Sequence, residues 1–280
     1  MSNKKIINTR YSLAIFIIVV LASGWIGVFI DSFIPNQPKG NSLGMGIWLL
    51  LPILTMLLLR FINSDWKDIG VKPNFRGNIK WYLVSILIYP LITIITVCLG
   101  LLLDCIFVSA IKWSALFTII AISIGSNFIK NIFEEFSWRG YLTPKLIELK
   151  VNDWLIYLIS GLIWALWHSA YYLIFLPDNY FEFNSRVETL LIGCVLMVSW
   201  SIMYVEIYRL TNSVWPGVLM HAIEDGIPTV LITVSSIIAF TNKADFWLNP
   251  ISGVIATLLF TIIGILLRQK RIQNIQKISL

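Results

Sequence analysis

The strongest constraint on this chain is a succession of apolar stretches, each about as long as a membrane-crossing helix. They run roughly from Tyr11 to Ile30, Met45 to Ile62, Trp81 to Leu103, Trp113 to Phe136, Trp154 to Leu176, Glu188 to Leu210, Val214 to Ile238 and Pro250 to Leu267. At 1.5 Å per residue each gives about 27–38 Å of helix, against a hydrocarbon core of about 30 Å. Backbone groups cannot go unpaired in lipid, so stretches of this kind form helices. The alternating pattern of a membrane barrel is absent. Composition agrees: 58% of the 280 residues are hydrophobic and 13% charged, where soluble domains average about 45–50% and about 25%. One soluble core cannot bury that excess. The expected fold class is all-α, a polytopic membrane helix bundle with about eight transmembrane helices, in a single integral-membrane domain over residues 1–280.

The net charge of +6 follows topology rather than a nucleic-acid surface. One side of the expected bundle collects Lys4, Lys5, Arg10, Arg60, Lys67, Lys72, Arg76, Lys80, Lys130, Arg139, Lys145, Lys150, Arg209, Arg268, Lys270, Arg271 and Lys277. The other has only Lys39, Lys112, Arg186 and Lys243. Basic residues stay cytoplasmic, so both termini are expected in the cytoplasm and the protein in the cell membrane. Lys4, Lys5 and Arg10 ahead of the first stretch resemble a signal sequence, but the apolar run is longer than an h-region, and an uncleaved span is expected. Residues 139–150 place Tyr141, Leu142, Leu146, Ile147 and Leu149 beside Lys145 and Lys150, a pattern that fits a short helix lying in the interface. Cys98, Cys105 and Cys194 lie in or beside apolar stretches without metal-like spacing and read as small hydrophobes.

Polar residues inside spans are expensive and point to function. Three groups stand out. The first is Glu134-Glu135-Phe136-Ser137-Trp138-Arg139. On a helix Glu135 and Arg139 are i and i+4, in the order that favours an ion pair, while Glu134 is turned about 100° away and available as a base. The bland alternative is a solvated helix end. The second is Trp164-Ala165-Leu166-Trp167-His168, whose histidine is otherwise a hydrogen-bonded structural residue. The third is His221-Ala222-Ile223-Glu224-Asp225, with His221 and Asp225 on one helix face; it reads alternatively as a pair that ties two helices together. The chain has only two histidines, and both lie in spans near carboxylates. Together the groups suit water activation: Glu134 takes a proton from water, one imidazole positions that water, and another donor stabilises the oxyanion. A His-Glu-x-x-His helix, a Gly-x-Ser-x-Gly elbow and glycine-rich phosphate loops are absent.

On these residues the chain resembles the type II CAAX prenyl protease family, also called the CAAX-protease and bacteriocin-processing or Abi family. Its motifs are Glu-Glu-x-x-x-Arg, aromatic-x-x-x-His and His-x-x-x-Asn/Asp. Here they are Glu134-Glu135-x-x-x-Arg139, Trp164-x-x-x-His168 and His221-x-x-x-Asp225, in the family's order, and the resemblance covers about residues 128–226 as a catalytic core. The resemblance implies that Glu134 activates water with help from His168, that His221 and Asp225 stabilise the oxyanion, and that Glu135 and Arg139 support them. It implies an endopeptidase acting on prenylated proteins, bacteriocin leaders or other membrane-associated peptides, with the bilayer and a peptide substrate as partners and no nucleic acid. No cofactor is expected. If a metal is present, Glu134, His168 and His221 would offer a three-ligand zinc site with an open position, although the usual compact ligand spacing is missing.

Two departures from the family pattern stand out. Trp164 replaces a common Phe. Asp225 stands where Asn is often found, and an ionised Asp only accepts hydrogen bonds. Other readings of the same polar cluster are a cation-coupled transporter, which predicts flux and repeated halves, and a catalytically inactive scaffold or immunity protein, which predicts that motif mutants keep function.

Overall fold

The computed structural model describes residues 3–38, 40–110, 112–181, 184–241 and 243–278; Lys39, counted above, lies outside them. In chain order the elements are α1 (Asn3–Asp31), α2 (Leu43–Asn63), α3 (Ile79–Leu102), strand β1 (Ile106–Val108) and α4 (Trp113–Ser137). A π-helical turn (Trp138–Leu142) leads into α5 (Thr143–Glu148) and then α6 (Asp153–Trp167). After a second π turn (Tyr171–Phe175) come α7 (Arg186–Thr211), α8 (Trp215–Gly226), a third π turn (Val230–Val234), β2 (Ile238–Phe240), α9 (Ala244–Leu248) and α10 (Val254–Ile278).

The fold class is the expected one. Among the described residues seven helices are long and apolar enough to cross a membrane: Lys5–Asp31, Leu43–Asn63, Ile79–Leu102, Trp113–Glu148, Asp153–Phe175, Arg186–Thr211 and Trp215–Val234. The eighth expected stretch starts late, at Val254, and turns basic at Arg268, Lys270 and Arg271 within α10. Its apolar part, Val254–Leu267, gives only about 21 Å of helix. Many large apolar side chains, among them Ile18, Leu58, Ile94 and Ile122, stay exposed, as lipid-facing helices require.

The chain divides into two compact units, one of residues 1–70 and 133–201, the other of residues 71–132 and 202–280. In the first, α1 and α2 touch backbone to backbone. A Cβ on Gly27 would stand 2.3 Å from the Gly44 carbonyl oxygen, so only glycine fits, the small-residue packing that membrane helices use. Asp31, at the end of α1, accepts the Gly44 N–H and the Gln37 amide, both at 2.7 Å. Helix α6 packs on this pair: the Trp48 indole donates to the Trp167 carbonyl at 2.9 Å, and the Trp167 indole to the Ser23 hydroxyl at 3.1 Å. A Cβ on Gly161 of α6 would meet the Val198 Cα at 2.4 Å.

In the second unit β1 and β2 form an antiparallel clip, Ile106 opposite Phe240 and Val108 opposite Ile238, over a small core with Leu248. Gly226 lets α8 approach α4, since a Cβ there would lie 2.2 Å from Ile124 Cγ1. The fully buried Glu206 of α7 accepts Arg271 of α10 through both oxygens, at 2.5 and 3.1 Å. Cys98, Cys105 and Cys194 are free.

One expectation needs correction. Residues 143–148 are helical, but Tyr141, Leu142, Lys145 and Leu146 are buried, so the segment is covered by protein rather than laid as an amphipathic surface. Lys145 finds its partners inside, at Asp65 (2.5 Å), Asp68 (3.1 Å) and Glu148 (3.1 Å).

Candidate active site

The first unit carries the Glu-Glu pair. Glu134 and Glu135 sit in the last turn of α4, both buried. Arg139 follows in the π turn, and its Nη1 lies 3.1 Å from each carboxylate oxygen of Glu135. Both side chains are closed off from solvent. A buried charge is tolerable only when paired in this way.

The π turn has a local cause. Residue 144 is proline, which lacks an N–H and crowds the carbonyl four residues earlier. That carbonyl belongs to Gly140. The helix widens, and the Thr143 N–H reaches back to the Trp138 carbonyl. The Gly140 carbonyl, denied its α-helical donor, instead accepts from the fully buried Arg60, through Nε at 3.1 Å and through Nη2. Arg60 in turn donates from Nη1 to the Asp68 carboxylate at 2.7 Å and to the Asp65 carbonyl. A guanidinium outside the motif thus holds the turn that presents Arg139.

Trp164 of α6 is the common neighbour of Glu134, Arg139 and His168. Its indole N–H points at Glu134 Oε2 at 3.4 Å. Its ring lies under the Arg139 guanidinium, 4.5 Å from centroid to Cζ, a cation–π contact. Its carbonyl is 2.9 Å from His168 Nδ1. A carbonyl only accepts, so Nδ1 is the donor in this contact and the ring is turned with Nε2 away from it. The sequence reading placed His168 within a regular span. In the structure α6 ends at Trp167, His168 is its C-cap, and the chain then enters a π turn. The imidazole is half-buried, stacked on Tyr172 (5.5 Å, 22°) and edge-on to Trp48 and Trp167.

The second unit carries His221 and Asp225, one turn apart on α8, which opens with Pro216 in its first turn. His221 is buried and meets the Tyr204 ring edge-on, with centroids 6.0 Å apart. Glu224, also buried, accepts the Thr229 hydroxyl at 3.0 Å. Asp225 Oδ2 accepts from two residues of α4, Lys130 Nζ at 3.0 Å and Asn131 Nδ2 at 2.8 Å. Ser123, further back on α4, donates to the Asp225 carbonyl at 3.3 Å.

So one unit holds Glu134, Glu135, Arg139 and His168, and the other holds His221 and Asp225. Each of the three motifs is followed by, or runs into, a π-helical turn, a distortion frequent at functional sites. Sequence reasoning missed Lys130, Asn131 and Arg60 as site neighbours. Lys130 and Arg60 were counted only as topological charges, although a lysine four residues before Glu134 in an apolar span is itself a signal.

A divalent metal can be tested against the donors. His221, Glu224 and Asp225 bring one ligand atom each within 4.8 Å of one another. The Asp225 oxygen, however, already takes the Lys130 ammonium, and a cation bound there would face that positive charge. This donor set does not fit a divalent metal.

A comparison with curated proteins gives no match. The stretch that carries all three motifs, residues 112–227, matches the family model described as Type II CAAX prenyl endopeptidase Rce1-like, so this part of a multi-pass membrane protein is similar to the family its motifs resemble.

Proposed function

We propose that the chain is an intramembrane endopeptidase that hydrolyses peptide bonds in membrane-associated proteins or peptide precursors with a water activated by Glu134. The observation that carries this reading is Trp164, which binds Glu134 through its indole and His168 through its carbonyl. A general base and an imidazole held through Nδ1, with Nε2 left to face the water, are thus fixed to one residue. Glu134 removes a proton from water, and the new hydroxide bonds to the scissile carbonyl carbon. The carbonyl electrons move onto oxygen. Collapse of that oxyanion breaks the C–N bond, and the proton held by Glu134 goes to the leaving amine. His168 orients the water, Glu135 and Arg139 keep the end of α4 in place, and His221 and Asp225 serve the oxyanion. The enzyme lies in the cell membrane with both termini in the cytoplasm, and it needs no metal.

Cleavage by the purified protein in liposomes tests this, with a panel of prenylated, unprenylated and leader-type peptides. Glu134→Ala and His168→Ala are each expected to lower the rate by about 10²–10⁴-fold, the share of a positioned acid–base group. Unchanged cleavage in either variant refutes the mechanism and leaves a scaffold as the better reading.

A further inference from the structure

His168 is held at Nδ1 by the Trp164 carbonyl, and the Tyr172 ring stacks on its face at 5.5 Å and 22°. Tyr172 belongs to the π turn that follows (Tyr171–Phe175). In that turn the Leu176 N–H goes back to the Tyr171 carbonyl. The next donor in line, the one for the Tyr172 carbonyl, falls on residue 177, a proline without an N–H. Arg186 supplies the bond instead. Its Nη1 donates to the Tyr172 carbonyl at 2.8 Å, and its Nη2 to the Leu176 carbonyl at 2.9 Å and the Asp178 carboxylate at 2.6 Å. The guanidinium also lies over the Phe181 ring, 4.3 Å from its centroid.

Arg186 is the first residue of α7, where the helix dipole disfavours a cation. The helix start is capped without it: the Ser185 hydroxyl accepts the Glu188 N–H at 3.2 Å, and the Glu188 carboxylate accepts the Ser185 N–H at 2.8 Å. The guanidinium instead reaches back over the preceding segment. The arrangement repeats what Arg60 does for the Gly140 carbonyl beside Pro144. In both places a proline strands a carbonyl of a π turn next to a motif residue, and an arginine from another helix takes it.

We propose that Arg186 is a positioning residue: by holding the Tyr172 carbonyl it keeps the tyrosine ring stacked on His168 and so sets the direction of the imidazole. The inference rests on the reading of His168 as the residue that orients the water. The effect of Arg186 on the reaction passes through Tyr172.

Nuclear magnetic resonance of the full chain in detergent, with labelled histidine, tests the placement. The two histidines of the chain give two sets of ring resonances, and His168→Ala identifies one. A stacked aromatic ring displaces the resonances of the ring it covers, and Tyr172→Leu shows where the His168 signals fall without it. Arg186→Met is expected to move them toward those positions. In liposomes its kcat is expected to fall about 10–10²-fold with KM within about twofold of the parent, the scale of a small misplacement of a reacting group. Arg186→Lys keeps the charge but not the planar fork that spans two carbonyls, and it is expected to lie between the parent and Arg186→Met. Asp178→Asn breaks only an ion pair to a carboxylate that is 81% exposed, and it is expected to match the parent in signals and rate. Unmoved His168 signals in Arg186→Met, moved signals with parent-like kcat while Glu134→Ala is inactive, or equal shifts in Asp178→Asn and Arg186→Met overturn this inference alone. Should Arg186→Met not fold, Arg186→Lys is read by the same criteria. If cleavage survives Glu134→Ala, the enzymatic reading fails and carries this one with it.

Discussion

Arg60→Met is the sharpest probe of how the end of α4 is held. The change keeps most of the side-chain bulk and removes every donor. Arg60 is fully buried and serves the Gly140 carbonyl, the Asp65 carbonyl and the Asp68 carboxylate. Removing one partner of a buried charged network costs about 3–5 kcal/mol. The Asp68 side chain is 34% exposed, so water recovers part of that contact. The stranded Gly140 carbonyl accounts for about 1–3 kcal/mol of the loss, because Pro144 has no N–H to offer it. Pro144→Ala restores that N–H. In the parent it finds the carbonyl already taken by Arg60, and it is expected to change stability little. In the Arg60→Met background it is expected to recover about 1–2 kcal/mol. The four proteins form a double-mutant cycle, read by unfolding in a fixed detergent and followed by tryptophan fluorescence. If Pro144→Ala has the same effect in both backgrounds, within about 0.5 kcal/mol, the proline is not why Arg60 is there and the argument falls.

Burial alone would raise the Asp68 carboxyl, but Arg60 and Lys145 overcome it and hold the group below its ordinary value. A depressed native pKa gives stability that is complete above the unfolded value of about 3.9 and is lost as pH falls through the native one. Stability is therefore expected to drop on acidification below about pH 4, with Asp68→Asn flattening that limb; an identical acid limb in the variant sinks the assignment. Gly161→Ala pushes a Cβ to within 2.4 Å of the Val198 backbone and is expected to cost about 1–3 kcal/mol. Gly46→Ala meets nothing within 4 Å and is expected to gain up to about 1 kcal/mol from helix propensity; equal effects at the two glycines in a thermal melt would contradict the packing. Trp164→Phe keeps a ring under Arg139 but loses the indole N–H toward Glu134, and kcat is expected to fall about two- to tenfold, the worth of one modest hydrogen bond. Trp164→Leu is expected to fall further, and equal rates in the two would show that the indole contributes only bulk.

Helix content and the Glu135–Arg139 pair were legible because both follow from periodicity: long apolar runs, and an i,i+4 spacing. Burial by protein rather than lipid was not legible. Hydropathy averages over a stretch and cannot tell which apolar face meets a neighbour, so Tyr141 and Leu146 read as interfacial although protein covers them. Arg60 and Lys130 look alike in a count of cytoplasmic charges, yet the first is sealed inside one unit and the second joined to Asp225. The helix break at His168 hides in an unbroken apolar run, where Trp167 and Tyr171 are equally at home in α or π geometry. The Ile106–Val108 strand carries β-favouring residues, but nothing local names a partner at Ile238–Phe240, more than a hundred residues on.

The contact between α1 and α2 bears on how the protein is made. Asp31 is a carboxylate at the far end of the first membrane helix, and it accepts from the side chain of Gln37 and from the Gly44 N–H in the first turn of α2. The positive end of the α2 dipole faces it. The hydrogen bonds to this charge thus come from the hairpin itself. Gly27 and Gly44 let the two helices close without side chains in the way. As the chain leaves the ribosome, α1 and α2 can enter the bilayer as one preassembled hairpin, with the Asp31 carboxylate already hydrogen-bonded by the loop and helix that follow it.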